Sequence, residues 1–196
     1  MSWRDRVVAT LTALGIGLGA SVASAGHHQW DIVELYSNAD GSLQFVELFG
    51  FGNGEHNLAI WTLAVDGGAS ITFGTNLPSA TTLNTRVLVA TAGFAAAAGV
   101  TPDYIIPNGF LPIGGGTLRY AGAADVVTFG ALPTNGIDSL SDTGVQAAAT
   151  PTNFAGQTGS ISIPTLPQIG IVLLIGGVLA AIAVLLNRRP ARAELA

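Results

Sequence analysis

The residues that could do chemistry begin with an oxygen-rich turn. Asn38, Asp40, Gly41 and Glu47 occupy positions three, five, six and twelve of the calcium-loop pattern D-x-[DN]-x-[DN]-G-x5-E. That spacing suits calcium because carboxylate and amide oxygens are wrapped around a hard cation by a glycine-permitted bend. Position one, however, is Tyr36, and the flanking segments read as strands rather than helices. Asp40-Gly41 between alternating hydrophobic runs is also the signature of a β-hairpin, so turn chemistry accounts for the same residues. Calcium at Asn38, Asp40 and Glu47 therefore stands beside a purely structural hairpin, with Asp138 and Asp142 as further acidic loop positions.

A second metal reading depends on processing. Cleavage after Ala25 would leave Gly26-His27-His28 at a free terminus. The α-amine, two amide nitrogens and the His28 imidazole then form a square-planar set suited to Cu(II) or Ni(II). A solvated terminal tail is the plain alternative. His56 follows Glu55 in a glycine-rich loop, without a nucleophile elbow or a His-Glu-x-x-His helix around it. The glycine-rich strings at 50–54 and 112–117 follow no strand-to-helix pattern and read as turns. No catalytic residue and no cofactor is expected.

Composition narrows the field further. The chain has no Cys and no Lys, which removes disulfides, thiolate metal sites, thiol nucleophiles and Schiff-base chemistry. From Gly26 to Gln168, ten acids face only Arg86 and Arg119, a formal charge of −8 that repels phosphate backbones and argues against nucleic-acid binding. With 49% hydrophobic and 10% charged residues in 196, one domain plus targeting segments is the natural organisation. The 26 glycines and 9 prolines among many Val, Thr and Ser favour short strands joined by tight turns.

Residues 1–25 have a short charged start with Arg4 and Arg6, an apolar stretch and a closing Ala23-Ser24-Ala25, the three-part pattern of a cleaved signal peptide. At the other end, 169–186 run without a charge, long enough to cross a hydrocarbon core of ~30 Å. Arg188, Arg189 and Arg192 follow and place that end in the cytoplasm by the positive-inside rule. Strands are expected over 31–36, 42–49, 58–65, 70–73, 86–90, 117–120 and 125–129, with one helical turn at 94–98. Pro133 and Asn135-Gly136 are expected to interrupt regular structure over 131–142. The resulting organisation is a signal peptide at 1–25, a β-sandwich at 26–140, a Thr/Ser/Gly/Pro-rich linker at 141–167, a membrane helix at 168–187 and a basic tail at 188–196. Trp61, Phe45, Val46, Leu48, Val87 and Val89 are the expected core, Trp61 contributing the largest burial.

The elements Phe45-Val46-Glu47-Leu48 and Leu58-Ala59-Ile60-Trp61-Thr62-Leu63, followed by 71–73 and 86–91, resemble the lamin-tail domain family in its bacterial form over about residues 31–140. Ile60 stands where that family more often has Gly. The resemblance implies an all-β, immunoglobulin-like sandwich used as a non-enzymatic surface or interaction module. Near the C-terminus, Ile163-Pro164-Thr165-Leu166, the hydrophobic span with Gly170, and the basic Arg188-Arg189 resemble the IPTL-type sorting signals of bacterial surface proteins. Leu166-Pro167-Gln168-Ile169-Gly170 is also similar to a sortase signal, with Ile169 at the position usually held by Thr. These resemblances imply an exported protein whose domain lies outside the membrane, with a signal peptidase and a sorting protease as processing partners. The surface partner is left open.

Overall fold

The computed structural model describes residues 28–161. Their elements are β1 (Trp30–Ser37), β2 (Gln44–Gly50), β3 (Thr62–Val65), β4 (Ser70–Thr72), β5 (Arg86–Thr91), α1 (Phe94–Ala98), β6 (Tyr104–Ile106), β7 (Gly116–Tyr120), β8 (Asp125–Phe129), β9 (Asp138–Ser141) and β10 (Gln146–Ala148). They form a six-stranded sheet in the order β10-β9-β1-β2-β5-β6 and a four-stranded sheet in the order β4-β3-β7-β8. All pairings are antiparallel except β5 with β6. The expected all-β sandwich is thus present as two packed sheets.

The β1–β2 hairpin closes through the side chains that sequence placed in its turn. The Asn38 carboxamide oxygen accepts from Leu43 N–H at 3.0 Å, and Asp40 accepts from Ser42 N–H at 2.9 Å and Ser42 Oγ at 2.6 Å. Beyond the turn, β1 contains a bulge: Ile32 pairs with Leu48, but Glu34 pairs with Glu47, leaving Val33 as the extra residue. Strict alternation would put Ile32, Glu34 and Tyr36 on one face. The bulge instead sends Ile32 and Leu35 into the space between the sheets and turns Glu34 and Tyr36 outward. Asp125 accepts the Ile32 N–H at 2.6 Å and so satisfies the disturbed ladder.

Two apolar clusters follow. The larger lies between the sheets and joins Trp30, Ile32, Val46, Leu48, Val87 and Val89 to Leu63, Leu118, Tyr120 and Phe129 of the smaller sheet. The second covers the outer face of the large sheet, where Tyr36 and Phe45 stack at 5.5 Å and Phe94 of α1 meets both edge-on. Being covered on both sides, β2 is buried almost throughout.

Several expectations change. Trp61 is only partly buried, packed against the margin of the larger cluster, while the fully buried indole is Trp30, whose Nε1–H donates to Glu55 O at 2.8 Å. Phe45 is buried as expected but in the second cluster. The stretch 131–142, expected to be irregular, contains β9, and two further short strands, β6 and β10, were not anticipated. The linker expected over 141–167 is folded as far as it is described. After β10 the chain becomes a strap, residues 149–161, laid across the outer face of the large sheet.

Among the described residues no helix is long and apolar enough to cross a membrane. The signal peptide at 1–25, the span at 169–186 and the sorting residues Ile163, Pro164, Thr165, Leu166, Gly170, Arg188 and Arg189 lie outside the described residues.

Candidate functional site

The densest polar constellation sits where the strap crosses the sheet. Glu34 of β1, Glu47 of β2 and Leu88 of β5 are successive cross-strand partners, so the two carboxylates stand side by side on the outer face. Residues of the strap then meet this row at every second position. Thr150 N–H donates to Glu34 Oε1 at 3.0 Å, Thr152 N–H to Glu47 Oε2 at 2.6 Å, and Phe154 N–H to Asp103 Oδ2 at 2.9 Å. The two-residue step is that of an extended chain, whose alternate amides point the same way. The strap doubles back on itself through an antiparallel bridge between Thr152 and Thr158, and the amides that face the sheet are taken by the three carboxylates.

Each carboxylate is also held from its own side. Ser139 Oγ donates to Glu34 Oε1 at 2.5 Å and Thr150 Oγ1 to Glu34 Oε2 at 3.4 Å. Arg86 Nη1 pairs with Glu47 Oε1. Leu88 N–H donates to Asp103 Oδ2 at 2.8 Å, so one oxygen joins β5 to the strap. All four oxygens of Glu34 and Glu47 are engaged, and a general acid or base with a free proton-transfer face is not what the pair offers. Its chemistry is that of a clamp.

Electrostatics at the clamp are set by burial. The Glu47 side chain is fully buried, and desolvation pushes its carboxyl up to about 7 from 4.5; Arg86 and the Thr152 amide pull it down, and neighbouring Glu34 adds to the rise. Asp103 is raised by burial, opposed by the Leu88 and Phe154 amides. Beside the clamp an open groove of about 240 Å³ is bounded by Val33, Glu34, Arg86, Ser139, Ala147 and Thr150. Arg86, 40% exposed, lies 5.4 Å over the Phe49 ring.

The positions singled out in the sequence are distributed rather than gathered. Asn38 and Asp40 share the hairpin turn, and hydrogen bonds with Ser42 hold the Asp40 carboxyl below the usual range. Glu47 stands in β2, bonded to Arg86 and the strap, so the calcium spacing does not bring it to the turn. His28 is exposed at the start of the described residues, His56 Nδ1 lies 3.3 Å from Gly54 O, Asp138 bonds Asn135 and Gln146, and Asp142 sits beside the bulge. Among the described residues no three His, Cys, Asp or Glu side chains converge as a metal site. Glu34, Asp103 and the strap were missed in the sequence. Glu34 was discernible only as one of two acids, with Asp31, in β1.

Comparison with known protein families, curated proteins and solved structures found no match. The functional reading therefore stands on the residues themselves.

Proposed function

We propose that this chain is an exported, non-enzymatic surface protein: a lamin-tail-like, immunoglobulin-like sandwich presented outside the membrane and held or sorted through its C-terminal segment. The observation that carries the reading is the clamp. The domain engages its own C-terminal strap with Glu34, Glu47 and Asp103, and the strap leads directly towards Ile163-Pro164-Thr165-Leu166. A body fastened in this way transmits a tether's pull into central strands, as a displayed module requires.

The buried acids are consumed by structure, and a module without a committed catalytic centre leaves its exposed loops for contact. The absence of Cys suits a domain stabilised by packing alone. The resemblances to bacterial lamin-tail domains and to IPTL-type signals supply the location, a signal peptidase and a sorting protease supply the processing, and the strap supplies the mechanical link. The alternative is an extracytoplasmic metal module using calcium at Asn38, Asp40 and Glu47 or copper through His28; its calcium form would require Glu47 to leave Arg86 and Thr152.

Fractionation of producing cells combined with intact-mass analysis tests the proposal. A membrane or surface fraction beginning at Gly26 is expected. Full-length, unprocessed protein in the cytoplasm would refute it. Titration calorimetry with calcium and copper on protein beginning at Gly26 tests the alternative, which fails if neither ion gives heat.

A further inference from the structure

Beside the clamp the outer face of the large sheet carries an open groove of about 240 Å³, bounded by Val33, Arg86, Val145, Ala147 and Thr150. The Arg86 guanidinium lies over the Phe49 ring and touches Glu47, so it stands above β2. Ala147, with Val145 just before it, belongs to the edge strand β10. Between β10 and β2 there are three strand intervals of ~4.8 Å, which gives the groove a length of roughly 14 Å.

Most polar groups along the groove are already engaged. Ser139 Oγ donates to Glu34 Oε1 and Thr150 Oγ1 to Glu34 Oε2, while Ser141 Oγ pairs with Thr143 Oγ1 at 2.8 Å and accepts the Val145 N–H at 3.0 Å. Arg86 is the exception. Its Nη1 holds Glu47, and among the described residues its Nε and Nη2 meet no acceptor. Arg119 differs, because its Nε and Nη2 are spent on the two Asp66 oxygens at 2.6 and 2.9 Å. Burial pushes Glu47 up to about 7, so near neutral pH it offsets the Arg86 charge only in part.

The chemistry that fits this lining has two parts. The Nε and Nη2 edge of a guanidinium presents parallel N–H groups that match a carboxylate in a planar fork. Beyond it the groove offers the methyl groups of Val33, Val145 and Ala147, with Val145 61% exposed, and covering them removes apolar surface from water. Nearby acids limit the charge the ligand can bring. Asp31 is the β1 partner of Phe49, and Asp142 follows Ser141, so a single negative charge is tolerated where a polyanion is repelled.

We infer that this groove is a binding site for a monocarboxylate with an apolar body, the carboxylate on Arg86 and the body laid over Val33 and Ala147 towards Val145. The ligand reads the one guanidinium fork that the clamp leaves open, and the strap forms one wall of its site through Thr150.

Isotope-labelled full-length protein in detergent micelles, followed by NMR, tests the site with two probes: sodium hexanoate, and hexanamide, which has the same length and no charge. Hexanoate should shift the Arg86 Nε–H and the Val33 and Ala147 amides saturably, and should bind about tenfold more tightly than hexanamide. The Arg119 Nε–H reports indiscriminate ion pairing and should stay in place. Arg86→Gln should weaken hexanoate about tenfold. Because that variant also strips Glu47 of its partner, Ala147→Asp supplies a second reading from an exposed position outside the clamp, with a loss of about fivefold expected from charge repulsion. Absence of saturable shifts, equal binding of the two probes, an Arg119 Nε–H that moves as far as that of Arg86, or wild-type hexanoate affinity in Ala147→Asp would each overturn the inference.

Discussion

Replacing Glu47 by Gln separates the charge of the clamp from its shape. The amide keeps the shape and one acceptor oxygen, for Thr152 N–H or for Arg86 but not both, and it cannot ionise. In the wild type, burial raises the folded-state carboxyl from 4.5 to about 7. Between those values the folded protein holds a proton that the unfolded chain has released. Stability from this group is therefore complete below pH ~4.5 and is lost as pH rises through ~7. At about 1.4 kcal/mol per pH unit, the displacement is worth about 3 kcal/mol. With Glu47 fully buried, little solvent screening reduces it. Urea unfolding of wild type and Glu47→Gln at intervals from pH 5 to pH 8.5 should show similar stabilities near pH 5. By pH 8.5 the gap should have moved about 3 kcal/mol in favour of the Gln variant, or ~10 °C in Tm for a domain of this size. Asp103 and Asp31 tilt both proteins in the same direction and cancel in the comparison. Parallel pH profiles would refute the reasoning, because they would mean that the contact with Arg86 keeps Glu47 ionised throughout.

Ile60 holds φ at 77° in the turn closed by Trp61 N–H and Leu58 O, and its side chain is 78% exposed, so Ile60→Gly should remove about 1–2 kcal/mol of backbone strain, set against a smaller entropic cost, and raise the melting temperature by a few degrees in calorimetry. Trp30→Ala should cost about 3–5 kcal/mol in denaturant unfolding, and Trp61→Ala less than half of that; equal losses would contradict the assignment of Trp30 as the main indole of the core. Gly159→Val forces a side chain into Ala98 O and Val100, so limited proteolysis should cut the strap at least tenfold faster while amide exchange in β1 and β2 stays slow. Cleavage at the wild-type rate would show that the strap end is not pressed against α1.

How much of this could be read from sequence differs by element. The hairpin was legible because Asp40-Gly41 and the alternating hydrophobics are local signals, and α1 because Phe94 precedes a run of alanines. The bulge at Val33 left no local mark, yet it decides that Glu34 faces outward beside Glu47. Trp30 escaped notice because it opens β1 next to polar residues, and its anchoring bond goes to a loop carbonyl 25 residues away. The strap was the largest miss. Its Thr, Ala, Pro and Gly composition matches a linker, and what fastens it is backbone amides reaching carboxylates 51 to 116 residues earlier. Backbone donors are present at nearly every position, so sequence alone cannot point to the three that find a carboxylate.

The proposal of an exported, anchored display domain is tested most directly by asking on which side of the membrane the sandwich lies. An Ala123→Cys variant, exposed and otherwise free of thiols, is treated on intact spheroplasts with a membrane-impermeant maleimide, beside an Ala193→Cys variant in the basic tail. The account predicts that Ala123→Cys is labelled before lysis and sediments with membranes or appears at the surface, while Ala193→Cys in the unprocessed chain reacts only after lysis. Labelling of Ala123→Cys solely after lysis would contradict it.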